Sequence, residues 1–265
     1  GTSGEIARAV GDGWVFSGQH AEHYGGPRGS SPARVSIEAP VICLQNHDQV
    51  GNRALGERLH HQVPLGRWLA ASTLLLTAPE TPMLFMGQEW AASTPFLYFT
   101  DHQEPLGAMV VEGRRNEFKR FSAFSAPETR DRIPSPQREA TFAASVLRWD
   151  EARQPPHTHV LTHTRDLLAI RRAHLRQARD RARIRSEAAG PHAVWVAQPS
   201  ALGGLLVTFV DFSGAGAHRV AVGDLLPGTA SLERLYETRP TPDQPLVRDV
   251  RLEAGALVID AASEP

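Results

Sequence analysis

A short apolar run, Val41 to Leu44, ends abruptly in four polar residues: Gln45, Asn46, His47 and Asp48. The types at 47 and 48 can do chemistry together. A carboxylate accepts hydrogen bonds at two oxygens, and a neighbouring imidazole can donate to a further group. Side by side they suit a ligand rich in hydroxyl groups. Neighbours on a regular strand point to opposite faces. His47 and Asp48 can therefore serve one pocket only if the strand ends there and the backbone turns, as the following Gln49-Val50-Gly51 suggests. The alternative is that Asp48 caps the next loop and His47 is a satisfied core histidine. A His-Asp dipeptide alone does not separate these two readings.

The elements that must position this pair come next. An unbroken apolar run ending in polar groups reads as a strand covered on both faces. A strand is therefore expected at Val41–Gln45, and residues 49–59 read as the loop after it. GRWLAASTLLLTAPE predicts a helix that Pro79 ends. Met83 to Met86 predicts a second strand, closed by Gly87, Gln88 and Glu89. Strand, helix, strand at this spacing is a βαβ unit with parallel strands. In a β/α barrel the chemistry sits at the C-terminal ends of such strands. Residues 5–15 read as the end of a helix, and residues 16–40 and 91–137 as long loops rich in turn residues. Helices are expected at 138–151 and 157–185. AAGPHA, 188–193, reads as a boundary. Beyond it VWVAQ, LLVTFVDF, RVAV and ALVID are short β runs between turns, the pattern of an antiparallel sandwich or small barrel.

Composition bounds the function. The chain has 265 residues, with 28 Lys+Arg against 29 Asp+Glu and a formal net charge of -1. That is long enough for one large or two modest domains, and it gives no global pull toward nucleic acid or a membrane. Cys43 is the one cysteine, so no intrachain disulfide can form, which fits a reducing, cytoplasmic compartment. No signal peptide and no bilayer-length apolar run is read. His157, His159 and His163 lack the further ligands a zinc site needs, so no metal and no cofactor is expected. The arginine-rich stretch 165–185 reads as a solvated helix face rather than a nucleic-acid surface. The opening GTSGEIARAVGDG starts mid-pattern without Met, so the chain is expected to be the C-terminal piece of something longer.

Longer segments carry a resemblance. QNHDQVGNRALGERL, PMLFMGQEW, PFLYFTDH and EGRRNEF together resemble the maltooligosyltrehalose trehalohydrolases, glycoside hydrolases of the α-amylase clan. The resemblance implies an α/β region, the C-terminal part of a (β/α)8 TIM barrel over residues 1–188. An antiparallel β-sandwich domain over 189–265 follows. It implies cleavage of maltooligosyl trehalose, with retention, at the α-1,4 bond next to the trehalose end. Asp48 would be the carboxylate that stabilises the transition state, and His47 would bind the same sugar, with Asn46 and Gln49 beside them. Arg53 would reach a carboxylate or sugar, or else lie as a solvated loop arginine. Glu89 would orient site residues or form a rim salt bridge. Trp90 would stack on sugar or fill core, and Asp101 and His102 would shape the pocket for the trehalose end.

The same resemblance implies a gap. The clan's nucleophilic Asp and acid/base Glu belong to earlier strands and would precede Gly1. Retention requires two carboxylates roughly 5–5.5 Å apart, so the chain is expected to be part of a catalyst rather than a whole one. A branching or transglycosylating enzyme of the same clan, and a non-catalytic carbohydrate-binding fragment, remain alternatives at this point.

Overall fold

The computed structural model describes residues 1–175, 180–213, 218–221, 233, 235, 247–253 and 256–261. In chain order its elements are α1 (Ser3–Asp12), β1 (Ser17–Ala21), β2 (Gly26–Gly29), β3 (Val41–Ile42), α2 (His47–Gly51), α3 (Leu65–Thr77), β4 (Thr81–Pro82), α4 (Leu106–Glu117) and α5 (Pro127–Arg130). They continue as α6 (Glu139–Ala144), α7 (His157–His174), β5 (Arg185–Ala188), β6 (Ala193–Pro199), β7 (Leu205–Asp211), β8 (His218–Ala221), β9 (Val247–Glu253) and β10 (Ala256–Ala261). The chain divides into two compact units. One holds Gly1–Ile42, Pro64–Met83 and Thr162–Pro265; the other holds Cys43–Val63 and Leu84–Leu161.

In the first unit, α1 starts on a reciprocal cap. The Glu5 amide donates to Thr2 Oγ1 at 3.2 Å and the Thr2 amide donates to Glu5 Oε2 at 2.7 Å. Gly13, at φ 104, closes the helix by donating to Ala9 O. Ala7 and Val10 of α1 meet Ala70 and Leu74 of α3 and Val194, Val196 and Val210 of the β5–β6–β7 sheet in one buried cluster. That sheet is antiparallel in the order β5-β6-β7, and a second antiparallel sheet runs β8-β10-β9. The β runs expected beyond 188 are thus present among the described residues. AAGPHA forms the turn between β5 and β6, so the first of these strands begins before it, at Arg185.

Three expectations need correction in this unit. Residues 16–40 hold a hairpin, β1 against β2 in antiparallel register, rather than loop alone. Neither SGQHA nor GPRG shows apolar alternation, so nothing in the residue pattern marks it. At Gly29, φ 75, a Cβ would lie 1.8 Å from Phe16 O, so the hairpin end requires glycine. The helix expected at 157–185 ends at His174, and Asp180 then caps a single 3-10 turn, Arg181–Arg183, through Ala182 N at 2.9 Å. The strands β3 and β4 are parallel, as expected, but pair over two residues each instead of Val41–Gln45 and Met83–Met86. No third strand joins this pair among the described residues, and Val41 is 61% exposed. A parallel ladder extends only where both faces are covered.

Helix α3 stops where its sequence dictates. Ala78 precedes Pro79 and adopts φ -64, ψ 153, outside the helical region. The carbonyls this leaves open are taken by side chains. Gln198 Nε2 donates to Thr77 O at 2.6 Å, and the Arg171 guanidinium donates to the carbonyls of Leu76, Ala78 and Glu80. Two of the arginines in the basic stretch are therefore internal: Arg171 here, and Arg181, whose Nη1 lies 3.1 Å from Oε1 of Glu80. Glu80 is 1% exposed. Arg181→Ala strips that buried carboxylate of a cation and is expected to destabilise by about 3 kcal/mol. A urea midpoint unchanged from wild type would contradict this, and adding Glu80→Gln is expected to recover part of the loss.

In the second unit the expected loop 91–137 contains α4. Only Gly107 and Arg114 of α4 are buried, so LGAMVVEGRRNE lacks the apolar stripe that marks a helix. The helix expected at 138–151 splits into α6 and a 3-10 turn, Trp149–Arg153. Phe85, Phe96, Phe99 and Phe142 follow one another edge to face at 5.1, 5.8 and 5.2 Å.

Candidate functional site

All the candidate residues lie in the second unit. Asn46 is the N-cap of α2. Its Oδ1 accepts from Asp48 N at 2.9 Å and Gln49 N at 3.1 Å, while its own amide donates to Gln49 Oε1 at 2.8 Å. Asn46 and Gln49, expected beside a sugar, are thus the capping box that ends the extended segment and turns the backbone. The turn places His47 and Asp48 on successive first-turn positions, both side chains 71% exposed, with His47 Nε2 at 3.4 Å from Asp48 Oδ1. The two groups therefore do face one side, by the backbone turn their position required.

Gln45 is buried, and its Oε1 accepts from Leu59 N at 2.8 Å. Arg58, next to Leu59, is 0% exposed. Its Nε donates to Thr94 O at 2.7 Å, its Nη1 donates to Met86 O at 2.8 Å, and its guanidinium carbon lies 5.2 Å from the Phe85 ring centre. Burial lowers its pKa, while the nearby Glu89 and Glu151 carboxylates oppose that shift. Glu89 thus acts on Arg58 through its charge. Arg53 pairs with Glu57 at 3.3 Å, and both are partly exposed.

Trp90 is 3% exposed, and its indole N–H donates to Glu151 Oε1 at 3.2 Å. It fills core; the solvent-facing ring is Trp149, 68% exposed, 5.1 Å away. Partial burial raises the Glu151 pKa, but hydrogen bonds from the Ser93 hydroxyl, the Ser93 amide and Trp90 outweigh it and hold the carboxyl below its usual range. His102 belongs to a different hydrogen-bonded group, with Asp101 beside it in the chain. The Gln137 amide accepts from His102 N and from Thr100 Oγ1 and donates to His102 O, pinning their loop with both residues exposed.

Cavities among the described residues include two in this unit. One, about 460 Å³, runs along α4 and includes Glu112, Arg115, Asn116, Asp131 and Gln137. The other, about 240 Å³, is lined by Met86, Phe99, Phe142 and Trp149 among others. Asp48 lines neither. Arg58, Arg114, Gln137 and Glu151 were not singled out by sequence reasoning. Arg58 and Arg114 carried a signal, since they sit in QNHDQVGNRALGERL and EGRRNEF. Among the described residues no group of three His, Cys, Asp or Glu side chains is placed to hold a metal ion, and no helix is long and apolar enough to cross a membrane.

His60 supplies a pH-dependent term. His60 Nε2 and His61 Nε2 both lie 2.9 Å from Ala92 O. Burial, with the charges of His61, Arg58 and His157, lowers the His60 pKa to about 4 against the pull of that carbonyl. The unfolded chain takes up its proton first, near 6.5. Stability is therefore intact above pH 6.5 and is lost as pH falls toward 4, by about 3 kcal/mol at the limit. Urea midpoints at pH 7 and pH 4.5 check it: His60→Gln is expected to flatten the difference, and an unchanged slope would remove His60 as the cause.

The chain resembles an alpha amylase in fold and, in sequence, proteins named as trehalohydrolases. It superposes over 98% of its length on the crystal structure of a Salmonella typhimurium protein assigned as an alpha amylase, with a TM-score of 0.75 and 29% identity, covering 41% of that chain. The more particular likeness is to the malto-oligosyltrehalose trehalohydrolases. The chain is 46% identical to that of Deinococcus radiodurans over 171 residues, 63% of this chain and 28% of that protein. It is 41% identical to that of Brevibacterium helvolum over 174 residues, and 35% identical to that of Saccharolobus solfataricus over 150. The match with Deinococcus spans a little over a quarter of the relative's length. No protein-family model matches the chain.

Proposed function

We propose that this chain is the C-terminal part of a cytoplasmic malto-oligosyltrehalose trehalohydrolase, releasing trehalose from maltooligosyl trehalose with retention. The reading rests on the 46% identity to a protein of that name. Residues 1–188 complete a (β/α)8 barrel and residues 189–265 form its C-terminal β-sandwich domain. Asp48 stabilises the positive charge that develops at the sugar, and His47, 3.4 Å from it, donates to a hydroxyl of the same ring. Asn46 and Gln49 act by holding the α2 turn; Arg53, Glu89 and Trp90 support the loops around it. Asp101 and His102 contact the trehalose end from the loop pinned by Gln137. The nucleophile and the acid/base come from residues before Gly1.

Product analysis tests this. The complete protein, given maltooligosyl trehalose, is expected to yield free trehalose, whereas this chain alone is expected to yield none. Transferred glucan chains instead of trehalose would move the assignment to a branching or transglycosylating enzyme.

A further inference from the structure

Arg114 is buried on α4, and its side chain reaches back to the helix that carries His47 and Asp48. Its Nη2 donates to Gly51 O at 2.7 Å and to Arg53 O at 2.8 Å. Gly51 is the last residue of α2, so its carbonyl is one that a helix end leaves without an intrahelical partner; Arg53 O lies just beyond the helix and also accepts from Gly56 N at 3.3 Å. A guanidinium there also matches the partial negative charge of the helix end. The fork itself is held in place. Nη1 donates to Glu117 Oε2 at 3.1 Å, and the guanidinium carbon lies 4.7 Å from the Phe118 ring centre and 5.0 Å from that of Tyr98. Helix α2 has five residues, too few to hold its own direction. Asn46 and Gln49 fix its first turn and Arg114 fixes its last.

We infer that Arg114 is the positioning residue for the His47–Asp48 pair: it sets the direction in which α2 presents them, without touching substrate. This rests on the proposed role of Asp48. Aim matters because a displacement on the order of 1 Å at a catalytic group can cost about 100-fold in rate. Lysine is a poor replacement, since a single ammonium does not reproduce a planar fork that serves both carbonyls through Nη2 and Glu117 through Nη1 while packing its face on Phe118 and Tyr98.

The experiment is a double-mutant cycle in the complete protein with maltooligosyl trehalose. Arg114→Ala is expected to lower kcat about 10–100-fold with KM little changed, to be restored in part by added guanidinium, and to resist rescue by Arg114→Lys. Asp48→Asn is expected to cost far less in the Arg114→Ala background than in wild type, because a misaimed carboxylate has little left to lose. Equal Asp48→Asn losses in both backgrounds would overturn the inference, as would wild-type kcat in Arg114→Ala. Amide hydrogen exchange over residues 47–53 is the second readout, expected to quicken in Arg114→Ala, and unchanged exchange also overturns it. If wild type releases no trehalose, or Asp48→Asn is silent in wild type, the functional reading fails instead, and the exchange result still decides whether Arg114 holds α2.

Discussion

Asp48→Asn in the complete protein is expected to lower kcat about 100–1000-fold, the cost of removing one preorganised electrostatic partner, about 2.7–4 kcal/mol. Its effect on folding is expected to be small. The Asp48 side chain is 71% exposed, and the interaction that anchors this turn runs through its backbone amide to Asn46, which asparagine keeps. Exposed substitutions of this kind stay within about 0.5 kcal/mol. The isosteric change also preserves the hydrogen-bonding reach of the side chain while removing its charge. KM is expected to change little, since the charge matters most when the sugar ring becomes cationic. A variant with near-normal kcat on maltooligosyl trehalose would take Asp48 out of the mechanism. A variant with a lowered urea midpoint would show that the carboxylate serves the fold.

Which parts of this were legible in the sequence follows from what each residue's role depends on. The turn after Val41–Leu44 was legible from Gln49-Val50-Gly51, whereas the capping box that makes it, Asn46 with Gln49, reads as sugar-facing in the sequence and emerges only in the structure. The parallel pairing of β3 with β4 was legible from apolar runs at βαβ spacing. Helix α4 was not, because a helix that buries only a glycine and an arginine has no apolar period to read. The hairpin β1–β2 was hidden for a related reason: its register depends on Gly29, where the backbone conformation is set by a neighbouring carbonyl rather than by side-chain pattern. Trp90 shows a different limit. Its type suits sugar stacking and core filling alike, and only the partner of its indole N–H, Glu151, separates them. Arg58 and Arg114 mark the same limit for charge. An arginine in a polar loop reads as solvated until the carbonyls that receive it come from elsewhere in the chain.

Arg58 is where that limit has the largest energetic consequence. Its two bonds to Thr94 O and Met86 O tie the segment after Asp48 to the loop that leads from Phe85 to Phe96. A hydrogen bond to a charged group contributes about 1.5–3 kcal/mol, and Arg58→Met removes two while leaving both carbonyls to find other donors. Glu89 and Glu151 also lose the cation that faces them. The expected loss is about 3–5 kcal/mol, read as a lowered urea midpoint together with altered near-ultraviolet dichroism from Trp90 and Trp149. Arg58→Lys is expected to recover only a minor part, because one ammonium cannot hold both carbonyls in the geometry of the fork. A second consequence separates this account from simple loss of packing. The Arg58 charge helps to lower the His60 pKa, after burial and the neighbouring His61. With Met at 58 the His60 pKa is expected to move back up toward 6.5, so the acid-dependent loss of stability shrinks even as the neutral-pH stability falls. A variant that is destabilised at pH 7 but keeps the wild-type difference between pH 7 and pH 4.5 would show that the guanidinium matters there for its volume and not for its charge.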